Sequence, residues 1–220
     1  VSERSEPGTR ERLLESAEKL LSQFGLSGTS VRMITEKAGA NVAAVNYHFG
    51  SKEDLVRAVL MGHLRELDDM RMQRMDALEA GGRKPDVEEI CRAFVEPMVV
   101  HGISRETGDL VPFVVLIRQI FSDPEMGQKI LAGWEPSPVL VRLTNSLVEA
   151  MGVTPLSSQQ SHLLVMLMHS ATLEAIYVMT GAKLMHPADN EEQEQLLDKS
   201  IEYIAGGVRS FLSGPQLKVA

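Results

Sequence analysis

The chain has one cysteine, Cys91, and one tryptophan, Trp134, in 220 residues, and aromatic residues make up only 5% of it. A single thiol excludes an intramolecular disulfide. Apolar runs are short, as at 111–117 and 163–168, against the roughly 20 residues that a membrane-spanning helix needs. No bilayer span is therefore expected, and the polar start at 1–12 predicts no secretion signal. With the missing disulfide, this predicts a cytoplasmic protein. Catalytic signatures are missing too: there is no G-x-S-x-G elbow, G-x-x-x-x-G-K-[ST] loop, G-x-G-x-x-G turn or H-E-x-x-H pair. Each of these places a nucleophile, a phosphate cradle or a metal, so no enzyme and no cofactor is expected. His162 and His169 stand seven apart, two turns along one helix face and too far apart to share a metal unaided. Cys91 has no resolving partner, so no metal and no redox site is expected either.

Positive charge is scarce as well. The net charge is −8, which taken alone argues against a nucleic-acid partner. Its distribution says otherwise. Residues 1–62 hold 8 Lys/Arg against 8 acids, so 8 − 8 = 0, and the remaining 14 against 22 supply the whole deficit. The first third is electrostatically distinct from an acidic remainder.

What the chain does contain is helical periodicity, with no convincing two-residue alternation, so the fold is expected to be all-α. Leu13, Leu14, Ala17, Leu20, Leu21 and Phe24 predict a first helix over about residues 9–24, ended by Gly25. Thr29 or Ser30 caps a second helix with Val31, Ile34 and Ala38 inward, ended by Gly39. Asn41 caps a third over 42–48. Ser51 with Asp54 opens a fourth, which runs to Gly81-Gly82, a rod of about 43 Å at 1.5 Å per residue. Further helices are expected near 86–100, 110–122, 125–134, 137–151, 157–180 and 190–212.

The second and third helices, joined through "AGAN", have the length and turn of a helix-turn-helix, whose second helix enters the major groove. The small side chains of the third helix are useful there. Val42, Ala43 and Ala44 let backbone approach base edges and offer methyls to thymine, and Asn46 is the one amide able to bond an adenine edge. Val45 and Phe49 are expected to face inward. Tyr47, His48 and Lys52 beside a helix start suit a phosphate oxygen.

Residues 9–57, above all "TSVRMITEKAGANVAAVNYHFGSKEDL", resemble the DNA-binding domain of the TetR family of bacterial regulators. By that resemblance Thr29, Ser30, Tyr47, His48 and Lys52 match phosphate-contacting positions, and Arg32, Val42, Ala43, Ala44 and Asn46 match positions that reach bases. Many relatives place Ser at position 41, Thr at 44 and Tyr at 46, so this reading set is poor in donors. Shape and deformability of the DNA then supply more of the specificity. The resemblance further implies an N-terminal helix-turn-helix three-helix domain, a homodimer on a palindromic double-stranded operator, and a C-terminal helical domain that binds a small-molecule effector, dimerises and releases DNA. The expected division is reader 1–50, connecting helix 51–81, and sensor 82–220. The wording "NVAAVNYHFGSK" is most like a subset that includes regulators of fatty-acid metabolism, so an apolar or amphipathic, fatty-acid-like effector is expected.

For the sensor the residues themselves say less. Large, soft side chains are frequent there, and Phe94, Met98, Phe113, Ile117, Phe121, Trp134, Met166 and Tyr177 are candidate pocket walls. Arg118 or His101 is a candidate anchor for a carboxylate. The helix at 157–180 is apolar nearly all round and needs two covers. The last helix offers Leu197, Ile201, Ile204, Val208 and Phe211, and the two helices are expected to pair with their symmetry mates in a four-helix dimer interface. The alternative is a small-molecule-binding protein with a vestigial DNA-binding domain.

Overall fold

A computed structural model describes residues 8–104, 106–131, 135–181 and 190–214, with the backbone alone at 124, 126 and 190. Ten helices occupy the described residues: α1 Thr9–Gly28, α2 Val31–Ala38, α3 Val42–His48, α4 Lys52–Ala80, α5 Val87–Gly102, α6 Pro112–Ser122, α7 Pro124–Leu131, α8 Pro138–Met151, α9 Ser158–Met179 and α10 Asn190–Ser213. The sole extended pairing among them is an isolated bridge, Ile103 with Leu110.

Local chemistry sets the helix ends. Ser30, rather than Thr29, caps α2 by accepting the Met33 N–H. Asn41 caps α3 through Ala44 N–H at 2.9 Å. Ser51 accepts the Asp54 N–H and donates its own hydroxyl to the Asp54 carboxylate at 2.6 Å. Gly39 closes α2 at φ 61°, a left-handed conformation open to glycine at little cost. Gly25, at φ 69°, breaks α1 as expected, but one further turn follows it to Gly28.

The chain packs as two compact units. Of the described residues, 8–65 and 111–131 belong to the first, and 66–104, 106–110, 135–181 and 190–214 to the second. The division therefore falls inside α4, and α6 and α7 belong with the helix-turn-helix half. This differs from three consecutive segments for a tertiary reason. Gln119 on α6 accepts the Leu26 N–H at 3.0 Å, and Arg57 on α4 donates to the carbonyls of Ile130 and Lys129, both at 2.6 Å. Leu13, Leu21, Ile34, Val45, Leu55, Leu60 and Phe113 form the first unit's core, each almost fully buried.

The second unit packs α5, α8, α9 and α10 together. Its α5 begins with a reciprocal cap between Asp86 and Glu89. α9 has the length and apolarity to cross a membrane by composition, which the short apolar runs did not suggest. Here Leu164, Val165, Met168, Leu173, Ile176 and Met179 on one side of it are buried in the protein's own core. The last helix differs from expectation: Ile201, Ile204 and Val208 also face that core. They are not available to a partner chain. Tyr203, Gly207 and Ser210 occupy the outward side instead.

Candidate nucleic-acid interface

α3 exposes one face and buries the other. Val45 is fully buried and Phe49 half-buried, with the Arg10 guanidinium 5.3 Å from the Phe49 ring. On the outer side Val42, Ala43, Asn46 and Tyr47 are exposed, Tyr47 to 85%. The spacing of 42, 43, 46 and 47 puts these four on one helical stripe. A tyrosine ring left in water forgoes the stabilisation that burial would give it. Ala44 and His48 are half-exposed at the margins of the stripe, and the His48 ring meets Tyr47 edge-on at 5.0 Å.

The remaining expected contact residues divide. Ser30 is exposed at the start of α2, its hydroxyl oxygen already accepting from Met33. Arg32 is exposed and pairs with Glu36 at 2.8 Å. A surface pair of this kind contributes up to about 1 kcal/mol, little enough for the guanidinium to exchange partners. Thr29 is a correction. It is 2% exposed, and its hydroxyl donates to the carbonyls of Gly25 at 2.7 Å and Leu20 at 3.1 Å. Those bonds close the broken end of α1, so the hydroxyl does not reach outward. Lys52 is likewise committed inward, its ammonium donating to the Leu26 carbonyl at 2.6 Å.

A shallow, open hollow of about 530 Å³ lies beside the stripe, lined by Thr9, Gly39, Ala40, Asn41, Ala43, Ala44, Tyr47 and His48. Thr9 begins α1, whose N-cap Gly8 supplies no side-chain acceptor. The first amides of a twenty-residue helix thus lack a side-chain cap and favour an anion. Sequence reasoning passed over this end of α1; glycine before a helix start was the available signal.

In the second unit, an open groove of about 880 Å³ runs between α8 and α9, with Leu140, Val141, Leu156, Leu163, Val165 and Met166 as its apolar lining. Thr144, Asn145 and His162 add polar groups. Of the expected pocket residues, Met166 lines this groove. Phe94 and Met98 are buried in the same unit, where Tyr177 is half-buried. Phe113 and Ile117 are buried, Arg118 half-buried and Phe121 exposed in the first unit; Trp134 lies outside the described residues. His101 is half-buried in the second unit and faces Glu66 at 3.8 Å. Burial pushes the Cys91 thiol up to about 12, so it stays protonated and unreactive at neutral pH.

Comparison with known proteins agrees with this geometry. Residues 13–59 match the family model for bacterial regulatory proteins of the tetR family. The chain is similar to the probable HTH-type transcriptional regulator YttP of Bacillus subtilis, 41% identical over 64 residues, or 27% of this chain and 31% of that protein. It is also similar to the HTH-type transcriptional repressor KstR2 of Rhodococcus jostii, 40% identical over 60 residues, 27% and 29% of the two chains. The chain thus spans about a third of the length of these curated relatives, and 49% of another, BetI 2 of Chromohalobacter salexigens. Among solved structures, the fatty acid degradation regulator FadR from Bacillus halodurans superposes with a TM-score of 0.59 at 18% identity, over 94% of this chain and 99% of that one. A tetR family regulator from Shewanella sp. PV-4 gives 0.58 at 16%, over 91% and 98%. At such identities the likeness is one of fold, and it extends over both units. Residues 13–59 thus match a tetR-family DNA-binding domain, whose second short helix carries the stripe of exposed side chains, and the chain as a whole shares the fold of these solved regulators.

Proposed function

We propose that the chain is a homodimeric, cytoplasmic repressor that binds a palindromic operator through α3 and leaves it when a small apolar or amphipathic effector occupies the second unit. The observation that carries the reading is the exposed stripe of Val42, Ala43, Asn46 and Tyr47, which a folded monomer does not need. Asn46 supplies the base-directed amide, with the methyls of Val42 and Ala43 against thymine. Tyr47, His48 and the uncapped start of α1 hold phosphates and set the register.

The second chain is proposed to seat on α9 and α10. Leu167 at 52% and Tyr203 at 77% are exposed there, and Gly207 and Ser210 on α10 allow close approach. Like surfaces meeting across a two-fold axis give the isologous contact that a palindrome requires. The groove between α8 and α9 offers the effector an apolar lining, and the FadR neighbour's name fits an amphipathic ligand. Coupling runs through α4, which begins in the first unit and ends in the second. An effector that binds one α4 conformer better moves the population toward it by that differential affinity and no more.

The test is DNA capture. Purified protein is incubated with sheared genomic DNA of its source, and the retained fragments are sequenced for wild type and Tyr47→Ala. Retention of one or a few palindromic sites, lost in the variant, is the expected result. Retention of nothing above background by protein freed of bound small molecules would leave the vestigial-reader alternative standing.

A further inference from the structure

The second unit contains a buried cation that its own structure leaves incompletely matched. Arg71, on α4, has a side chain only 1% exposed. Its Nε donates to the Phe94 carbonyl at 3.2 Å, and its guanidinium carbon lies 4.1 Å from the centre of the Phe94 ring. Nη2 meets His169 Nε2 at 3.2 Å, while His169 Nδ1 lies 3.0 Å from the Val165 carbonyl. A carbonyl only accepts, so Nδ1 carries the imidazole proton and Nε2 accepts from the arginine. Burial first, then the Arg71 charge, pushes His169 down to about 3, so the ring is neutral at physiological pH. It gives Arg71 a hydrogen bond and no countercharge.

Among the described residues the acid paired with Arg71 is Asp68, and it stands far off. Nη1 stands 3.7 Å from Asp68 Oδ1, longer than a hydrogen bond, and the Asp68 side chain remains 25% exposed. Burial raises the Asp68 pKa, against the pull of Ser137 and Arg71, and neighbouring Asp69 raises it further. The buried Ser137 hydroxyl sits beside the Asp68 carboxylate and is the polar group that pulls its pKa down. A guanidinium has five N–H donors in a planar fork suited to a carboxylate. Burying a guanidinium whose paired acid stands beyond hydrogen-bond distance is costly relative to a close, matched carboxylate.

Two neighbours of the cluster line the groove between α8 and α9. Pro136, beside Ser137, lines the groove, and so does Val165, whose carbonyl holds His169. We infer that Arg71, with the Ser137 hydroxyl, binds the anionic end of an amphipathic monocarboxylate whose apolar body lies in the groove. The inference rests on the effector reading proposed above and gives that effector a charge. On binding, the ligand carboxylate takes the Nη1 and Nη2 edge, and Asp68, already partly in solvent, turns outward. The new contact then joins α4 to α5 through Phe94 and to α9 through His169, which gives the ligand a differential grip on the helix shared by the two units.

The test uses the full chain and isothermal titration with octanoate and dodecanoate against octanol and dodecanol. Wild type is expected to bind each acid at least tenfold more tightly than its alcohol. Arg71→Met is expected to abolish that preference while alcohol binding stays within twofold. Should Arg71→Met fail to fold, Asp68→Asn serves instead, because removing the competing carboxylate leaves the fork intact and is expected to tighten acid binding several-fold without changing alcohol binding. Equal binding of acids and alcohols by wild type, or an acid preference surviving in Arg71→Met or unchanged in Asp68→Asn, overturns the anion site and leaves the apolar effector standing. Binding of neither class overturns both.

Discussion

The two units use burial in opposite ways. The first buries an ordinary apolar core and leaves its most informative side chains, Asn46 and Tyr47, in water. The second buries its most informative groups, Arg71 and His169, and among its exposed side chains are the large apolar Val141, Leu167 and Tyr203. A reader of DNA must meet a large, rigid, charged partner, so its residues stand out and cost the fold little. In the proposed function the second unit encloses a small molecule, so its polar groups lie inside, where burial makes poorly paired charge costly. Substitutions at the reading head should therefore separate function from stability, and substitutions in the sensor should not.

The sharpest form of that contrast is a pair of aromatic truncations. Phe94→Ala removes a 1%-exposed ring that also carries the Arg71 guanidinium, and should cost about 3–5 kcal/mol in urea unfolding. Tyr47→Ala removes an 85%-exposed ring and should change unfolding by no more than about 0.5 kcal/mol while abolishing DNA capture. Similar losses of stability in the two variants would erase the distinction.

Next in size is a pH effect confined to the second unit. His169 is held neutral, with its pKa lowered to about 3 from 6.5. A pKa lowered in the folded state makes a contribution that is complete above about pH 6.5 and is lost as pH falls toward 3. The loss proceeds at roughly 1.4 kcal/mol per pH unit. Wild type should therefore lose about 2 kcal/mol more than His169→Gln between pH 7 and pH 5, in urea melts of both proteins; carboxylates common to the two cancel. Parallel pH profiles would show that His169 is not buried as described.

A smaller effect tests where the first unit ends. Gln119→Ala deletes the α6 acceptor for the Leu26 N–H and should cost about 1–2 kcal/mol, with faster amide exchange localised to residues 26–29. Unchanged exchange there would detach α6 from the reading half. The smallest effect is expected at Arg32. Arg32→Ala breaks an exposed pair with Glu36 and should leave stability within about 1 kcal/mol, and any loss of DNA affinity would then report a direct contact.

Much of this was legible in the sequence, and the reason is locality. The ends of α2, α3 and α4 depend on Ser30, Gly39, Asn41 and Ser51, each acting within three or four residues. The exposed stripe follows from helical spacing and the bare composition of 42–47. What the sequence concealed depends on partners far along the chain. Thr29 and Lys52 look like phosphate ligands, but their polar atoms are taken by Gly25, Leu20 and Leu26 across the broken end of α1. Periodicity identified an apolar face on α10 without telling which surface covers it, and the face proved to be internal. Arg71 sits among Met70, Met72 and charged neighbours on a long helix and gives no sign of burial, which follows only once Phe94 and His169 are brought to it from α5 and α9.

The central claim is that α3 reads bases through Asn46 and holds phosphates through Tyr47. It is tested most directly by selecting binding sites from a random double-stranded DNA library with wild type, Asn46→Ala and Tyr47→Ala. The account predicts a palindromic consensus for wild type. Asn46→Ala should give the same consensus with preference relaxed at one position in each half-site, while Tyr47→Ala should weaken binding uniformly across sequences. An identical consensus from wild type and Asn46→Ala, or a shift of sequence preference in Tyr47→Ala, would contradict these roles.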